Sequence, residues 1–265
     1  MSRISCLAIS FVLGFTTLAG SVAAQQTDAS DNKAQAVADR AIADLAAWEN
    51  QSARKYLQSQ KTKFGSTPEF KTAWALLEIQ EGADGKKTKV KRGTTSLSKM
   101  SKNKSVDAFA AYYYGETLYS QNKRKEANSA WEAAAKSAGA AVKADPTDAT
   151  SHFYLGAALV RAKKYEEART ALDLAVSNGF DEAMVNHQIG LSYLFAESWN
   201  KAKAAFDVGL TVNPRYAPMY FWRAMAWEKL GRKDQMLLDL DQYVKLAPNG
   251  PMAGKAQTLL KSAGR

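Results

Sequence analysis

The sequence predicts an all-α fold in which antiparallel helix pairs stack into a solenoid. Three observations carry that prediction. Apolar residues recur at three- and four-residue spacing along most of the chain after residue 34, the period of one helix face. From Ala149 onward the same order of small and large residues returns every 34 residues, as it does when one supersecondary unit is repeated. Only six prolines interrupt 265 residues of 46% hydrophobic content, which is enough apolar material for a continuous core.

The clearest unit runs from Ala183 to Tyr216, where Ile189, Gly190, Tyr193, Ala202, Phe206, Gly209 and Pro214 follow one another. This series resembles the tetratricopeptide repeat (TPR), and it sets the register for its neighbours. Residues 149–182 repeat it with Leu155, Gly156, Leu159, Tyr165, Ala168, Leu172 and Ala175, closing at Asn178 and Gly179. Residues 217–250 repeat it with Tyr220, Ala224, Trp227, Met236, Leu240, Tyr243 and Pro248, although Arg223 takes the usual leucine position. Residues 108–148 carry Tyr114, Gly115, Leu118, Ala127, Trp131 and Ala134, but Pro146 arrives seven residues late. A second helix lengthened by about two turns accounts for the delay and keeps one face buried. Small residues such as Gly156 with Ala168 let the two helices of a pair approach, and Leu172 or Phe206 fill the space between pairs. Residues 251–265 read as a capping helix with Leu259 and Leu260 on its covered side.

Upstream, residues 34–104 read as degenerate TPR-like repeats. Val37, Ala41, Leu45 and Trp48 trace a first helix, and Ala53, Leu57 and Phe64 a second. Trp74 and Leu77 mark the next. Between Lys86 and Lys104 stand eight basic residues and no acid. Val90, Thr94, Leu97 and Met100 trace one face there, yet Gly93, Thr94 and Thr95 are poor helix formers, so helix and mobile loop both remain open. Residues 25–33 are polar and read as a disordered lead-in.

Residues 1–24 read as a secretory signal: Arg3 precedes an apolar run from Ile4 to Ala19, and Val22, Ala23 and Ala24 suit a signal peptidase cleaving after Ala24. The alternative is an uncleaved anchor. Cys6, the only cysteine, lies inside the run, so the mature chain is expected to lack thiols, disulfides and thiolate metal ligands. Removing the segment changes the formal charge from +10 to +9. An exported chain of that charge favours envelope polyanions or acidic proteins over nucleic acid, for which no binding signature is present.

The TPR resemblance implies a right-handed superhelix and a non-catalytic scaffold for protein–protein interaction, and the signal-like residues 1–24 put it, as an expectation, in the periplasm or outside the cell. It also implies a concave groove lined by the first helix of each pair. The matching groove positions include Phe109, Tyr112, Glu116 and Tyr119, then Phe153 and Arg161, then His187, Leu191, Leu194 and Phe195, then Phe221 and Met225. A peptide lying there is expected to anchor on Phe153, Leu191, Phe195 and Phe221, each burial contributing about 1.5–3 kcal/mol. The other reading is that the chain covers these positions itself, through its C-terminal helix, its N-terminal lead-in or close superhelical packing. A second functional reading makes Lys86, Lys87, Lys89, Lys91 and Arg92 a tether to anionic lipid or polysaccharide.

Chemistry is thinly supplied. His152 and His187 are the only histidines and lack the companions that a metal site of three or four ligands needs. No nucleophile elbow or phosphate loop occurs. Glu166 with Glu167, and Asp239 with Asp241, read as solvated helix faces. No catalytic residue, metal or cofactor is expected.

Overall fold

The structure, a computed structural model, describes residues 22–83, 85–104 and 107–263. Among these residues all regular structure is helical. The helices are α1 (Val22–Ala46), α2 (Asn50–Phe64), α3 (Pro68–Gly82), α4 (Lys87–Met100), α5 (Asp107–Ser120), α6 (Arg124–Ala144), α7 (Ala149–Arg161), α8 (Tyr165–Ser177), α9 (Glu182–Phe195), α10 (Trp199–Val212), α11 (Ala217–Lys229), α12 (Lys233–Leu246) and α13 (Ala253–Ser262). The chain divides into two units, residues 1–33 and 34–265. In the first, the described part is the start of α1. Residues 25–33, expected to be disordered, are helical there, and no glycine or proline stands between Val22 and Ala46 to break the run. The apolar run at 4–19 and Cys6 lie outside the described residues.

In the second unit α3–α4, α5–α6, α7–α8, α9–α10 and α11–α12 pack closely as antiparallel pairs, and each pair stacks on the next. Local chemistry fixes the helix starts. The side chains of Asp148 and Asp181 accept hydrogen bonds from the backbone N–H of Ser151 (3.1 Å) and Met184 (2.7 Å), satisfying donors that the first helical turn leaves unpaired. The reversals share one device. Trp48, Asn122, Lys163, Glu197 and Gly231 all have positive φ, between 58° and 75°, and each stands fifteenth counting from 34, 108, 149, 183 or 217. Four of the five are not glycine, so the turn holds a left-handed conformation that costs an L-residue about 1–2 kcal/mol, offset by the packing of the pair it joins. The α3–α4 reversal uses Gly85 instead, at φ 94°.

Close helix approach depends on the small residues. A Cβ at Gly156 would stand 2.6 Å from Leu172 Cγ, and one at Gly190 would overlap the Phe206 ring. The long helix is α6, with 21 residues against 14 in α10; its Ala127, Trp131, Ala134 and Ala138 keep one face buried throughout. The basic segment is a helix, α4, despite its composition. Gly93 does not break it, because a Cβ there would lie 2.5 Å from the Ala75 carbonyl oxygen: the glycine serves close packing on α3.

Acidic residues assigned to solvent from the sequence divide. Glu166 and Glu167 are exposed, whereas Asp239 is buried, accepting from Arg223 Nε (2.8 Å) and Nη2 (2.6 Å). The cause is the arginine at the leucine position: its guanidinium enters the pair and needs a buried anion beside it. Asp207 binds the remaining Arg223 Nη1 at 2.7 Å.

The first helix pair closes the structure. On one side α1 meets α2, where Ser52 Oγ donates to Asp44 Oδ2 at 2.7 Å and Arg40 lies over Tyr56. On another it meets α7, where Thr150 Oγ1 donates to Asp39 Oδ2 at 3.3 Å. Ala34, Ala38, Ala41 and Ile42 thereby join the same buried core as Phe109, Tyr112, Phe153 and Tyr154. At the following turn Trp48 packs against the C-terminal cluster of Phe221, Tyr243, Ala247 and Leu260. Glu49 forms an ion pair with Arg215. The two ends of the repeat array are thus bridged.

Candidate partner-binding face

The first helices α5, α7, α9 and α11 form the face on which a TPR-like groove is expected, and the structure sorts its ten candidate residues into three groups. Phe153 and Phe221 are 1% exposed. Phe153 stacks on Phe180 with ring centroids 4.3 Å apart, and Phe221 packs on Tyr243 at 5.5 Å. Phe109, Leu191 and Leu194 are also buried, with Phe109 against Tyr154. These five are core. Leu191, Phe153 and Phe221 therefore do not serve as open anchors, because neighbouring helices and the N-terminal pair already cover this face.

Tyr112 and His187 form the second group. They line an internal cleft with Glu116, Arg161 and Gln188, under Leu45 and Trp48. Tyr112 Oη accepts a hydrogen bond from Gln188 Nε2 at 3.1 Å, and Arg161 Nη2 donates to Glu116 Oε2 at 2.5 Å. Burial, reinforced by the nearby Arg161 charge, pushes the His187 imidazole down to about 3, so it is neutral at physiological pH. Burial raises the Tyr112 hydroxyl, and Glu116 raises it further.

The third group lies at the rim. Tyr119 is 48% exposed and Phe195 37% exposed, while Met225 is half-buried. Tyr119 leans on Trp131, and Phe195 meets the edge of Trp222 at 6.0 Å. Cations flank neighbouring rings: Arg169 and Lys201 lie over Tyr193, and Lys203 and Arg232 over Trp227. Such pairs keep aromatic faces half-covered, and three of these cations are ion-paired as well, Arg169 with Glu166, Lys203 with Asp207 and Arg232 with Asp234.

The basic set is less open than its composition implies. Lys89 binds Glu81 at 2.8 Å and Arg92 binds Glu78 at 2.7 Å, both on α3. Lys86, Lys87 and Lys91 are exposed. His152 donates to the Pro146 carbonyl at 2.9 Å, and among the described residues no group of three potential ligands gathers around either histidine. Among the described residues no helix is long and apolar enough to cross a membrane.

Asp39 carries weight that the sequence did not single out, and Trp48 stands at the turn after α1 rather than on the helix face that its spacing predicts. Asp39 is held by Gln35 Nε2 at 2.8 Å and by Thr150, and burial pushes its carboxyl up to about 7. Trp48, a large aromatic at a left-handed turn position, was the one visible signal of the closing contact.

The tetratricopeptide-repeat family model matches residues 115–183 and 187–251, over the pairs whose close glycine contacts and common turns are described above. The chain belongs to the tetratricopeptide-repeat family. A curated relative, the Arabidopsis thaliana chloroplastic "Tetratricopeptide repeat domain-containing protein PYG7", is 27% identical over 124 residues, 45% of this chain and 41% of the relative. The TPR chain thus aligns with less than half the length of that relative. The crystal structure of TTC0263, a thermophilic TPR protein from Thermus thermophilus, superposes with a TM-score of 0.52 at 19% identity, covering 69% of this chain and 95% of that one. That likeness is one of fold. The TPR fold is a scaffold for protein–protein interaction.

Proposed function

We propose that this TPR chain is an exported, non-catalytic scaffold that docks an extended partner segment along the rim of its groove face, from Tyr119 past Phe195 to Met225. The observation that carries the reading is the selective exposure of this rim: of the predicted anchors, Phe195 stays accessible beside Trp222, while Phe153, Leu191 and Phe221 are covered. The partly exposed rings along this rim favour a partner segment with apolar side chains. Export rests on the signal-like residues 1–24, and N-terminal sequencing of the native protein tests it, a start at Gln25 being the expected result.

A photoreactive residue at position 195 in intact cells tests the docking face. The expected result is one dominant crosslinked partner, absent when the same residue is placed at Leu174 of α8. An identical pattern from both positions sinks the rim assignment. The exposure of Lys86, Lys87 and Lys91 favours a second reading, attachment to an anionic lipid or polysaccharide. Reversing those three charges abolishes envelope association on that reading and leaves rim capture intact.

A further inference from the structure

Between the α3–α4 and α5–α6 pairs lies an open cleft of about 550 Å³. Lys87, Lys91 and Thr94 of α4 form one wall, and Gln121 and Lys123 of the α5–α6 turn form the other. Gln121 Nε2 donates to Thr94 Oγ1 at 3.3 Å, which ties the two walls together. The cations around this cleft are sorted. Lys89 and Arg92 of α4 are taken up by Glu81 and Glu78 of α3, whereas Lys87, Lys91 and Lys123 are exposed and have no ion-pair partner among the described residues. No carboxylate stands among the described residues that line the cleft. Like charges four apart on one helix repel, and α4 has neither an acid in its first turn nor a side-chain cap to offset Lys87 and Lys91. The set is accessible and uncompensated, and the complement it lacks is an anion. We propose that this cleft binds a phosphate monoester of a sugar or polyol, free or as a lipid headgroup.

This inference rests on the second reading above and deepens it: the charged patch becomes a cleft with a stated ligand class, and it gains Lys123 from the next repeat. The chemistry selects that class. A phosphate monoester brings a charge of about −1.5 to −2 near neutral pH and three strong acceptor oxygens, one for each ammonium group. Lysine binds phosphate as a point charge, without the fixed fork that matches arginine to a planar carboxylate. A carboxylate offers one charge and two oxygens and leaves a lysine unmatched. The Gln121 amide has a second N–H beyond the one given to Thr94, and this donor suits a hydroxyl of the ester. No aromatic ring lines the cleft, so nothing there stacks a nucleobase. Among the described lining residues Val90 and Ala83 alone bring wholly apolar side chains, too few to hold an acyl tail, so a lipid would enter by its headgroup.

Titration of the full protein into glycerol 3-phosphate, followed by ³¹P NMR, tests the cleft. The expected result is a saturable ³¹P shift that weakens steeply with salt, with glucuronate, a carboxylate of similar size, competing at least about tenfold more weakly. Lys123→Glu is expected to weaken the probe by at least about tenfold, and Lys91→Glu on the opposite wall gives a second variant with the same expectation. Lys143→Glu makes the same charge change at the far end of α6, about 30 Å along the helix at 1.5 Å per residue, and should alter binding by less than about twofold. Displacement of the probe by phosphatidylcholine vesicles that contain phosphatidic acid, whose headgroup is the same monoester, assigns the ligand to a lipid; persistence of the bound probe assigns it to a soluble ester. The absence of a saturable shift, equal binding of glucuronate, or equal losses in Lys123→Glu and Lys143→Glu overturns the proposal. Unchanged probe binding in Lys123→Glu and Lys91→Glu, with envelope association still abolished by reversing Lys86, Lys87 and Lys91, rejects the cleft and leaves the patch standing.

Discussion

Asp39→Asn tests how the first helix is held. In the unfolded chain Asp39 has its ordinary value of 3.8, and in the fold it is pushed up to about 7. Burial is the main cause, opposed by the hydrogen bonds from Gln35 and Thr150, with Asp148 nearby pushing the same way as burial. A raised carboxyl means that the folded state holds a proton which the unfolded state releases. The carboxyl therefore costs nothing below about pH 4, costs progressively more as pH rises from 4 to 7, and costs its full amount above 7. A shift of about three units at 1.36 kcal/mol each puts an upper bound of about 4 kcal/mol on the cost, since the side chain is only partly buried. The asparagine variant keeps an oxygen for Thr150 and carries no charge at any pH. Urea denaturation followed by tryptophan fluorescence, run on both proteins from pH 4 to pH 8.5, should show equal stability at the acid end. The variant should become the more stable by up to about 4 kcal/mol at the alkaline end. A difference that is flat with pH, or a variant that is less stable at pH 8.5, refutes the packing of a desolvated Asp39 against α7.

Other perturbations separate core from rim. Phe153→Ala should cost about 3–5 kcal/mol in denaturant unfolding because it empties a fully buried site, whereas Phe195→Ser should cost under about 1 kcal/mol and act on partner capture. Gly190→Ala should lose about 1–3 kcal/mol, measured by Tm and urea midpoint, because the added methyl meets the Phe206 ring. Arg223→Leu restores the usual repeat residue yet should destabilise by about 3–5 kcal/mol, since Asp239 is left buried and unpaired; adding Asp239→Leu should recover most of the loss.

The repeat architecture was legible because it is written in short-range spacing. Gly190 followed by Phe206, or Gly156 by Leu172, declares a close helix pair within sixteen residues, and the late Pro146 declares a long α6. What covers each apolar face was not legible. Asp39 meets Thr150 across 111 positions and Glu49 meets Arg215 across 166; periodicity says which face of a helix is apolar and nothing about which distant helix lies on it. For the same reason Phe153, Leu191 and Phe221 read as groove anchors while the fold makes them core. Gly93 misled in the opposite direction, since helix propensity counts a glycine as a loss and cannot register the gain from a carbonyl packed against it. The polar cleft was half legible: Glu116 and Arg161 fall on groove positions, but Gln188 does not, and a lone glutamine in an apolar helix gives no sign that it faces two charged residues from other repeats.

The first helix pair folds into the groove face and closes the array. Thiol crosslinking tests it directly. In a Cys6→Ser background, cysteines replacing Asp39 and Thr150 should be joined by a short bismaleimide, since the native side-chain tips stand 3.3 Å apart and the linker spans the Cβ separation that a direct disulfide would not tolerate; cysteines replacing Thr150 and Leu238, exposed on α12 two helix pairs away, should not. Rapid, near-complete crosslinking of the 39–150 pair alone, with an increase in Tm, is the predicted result. Failure of that pair to crosslink, or equal crosslinking of both pairs, contradicts the closed array.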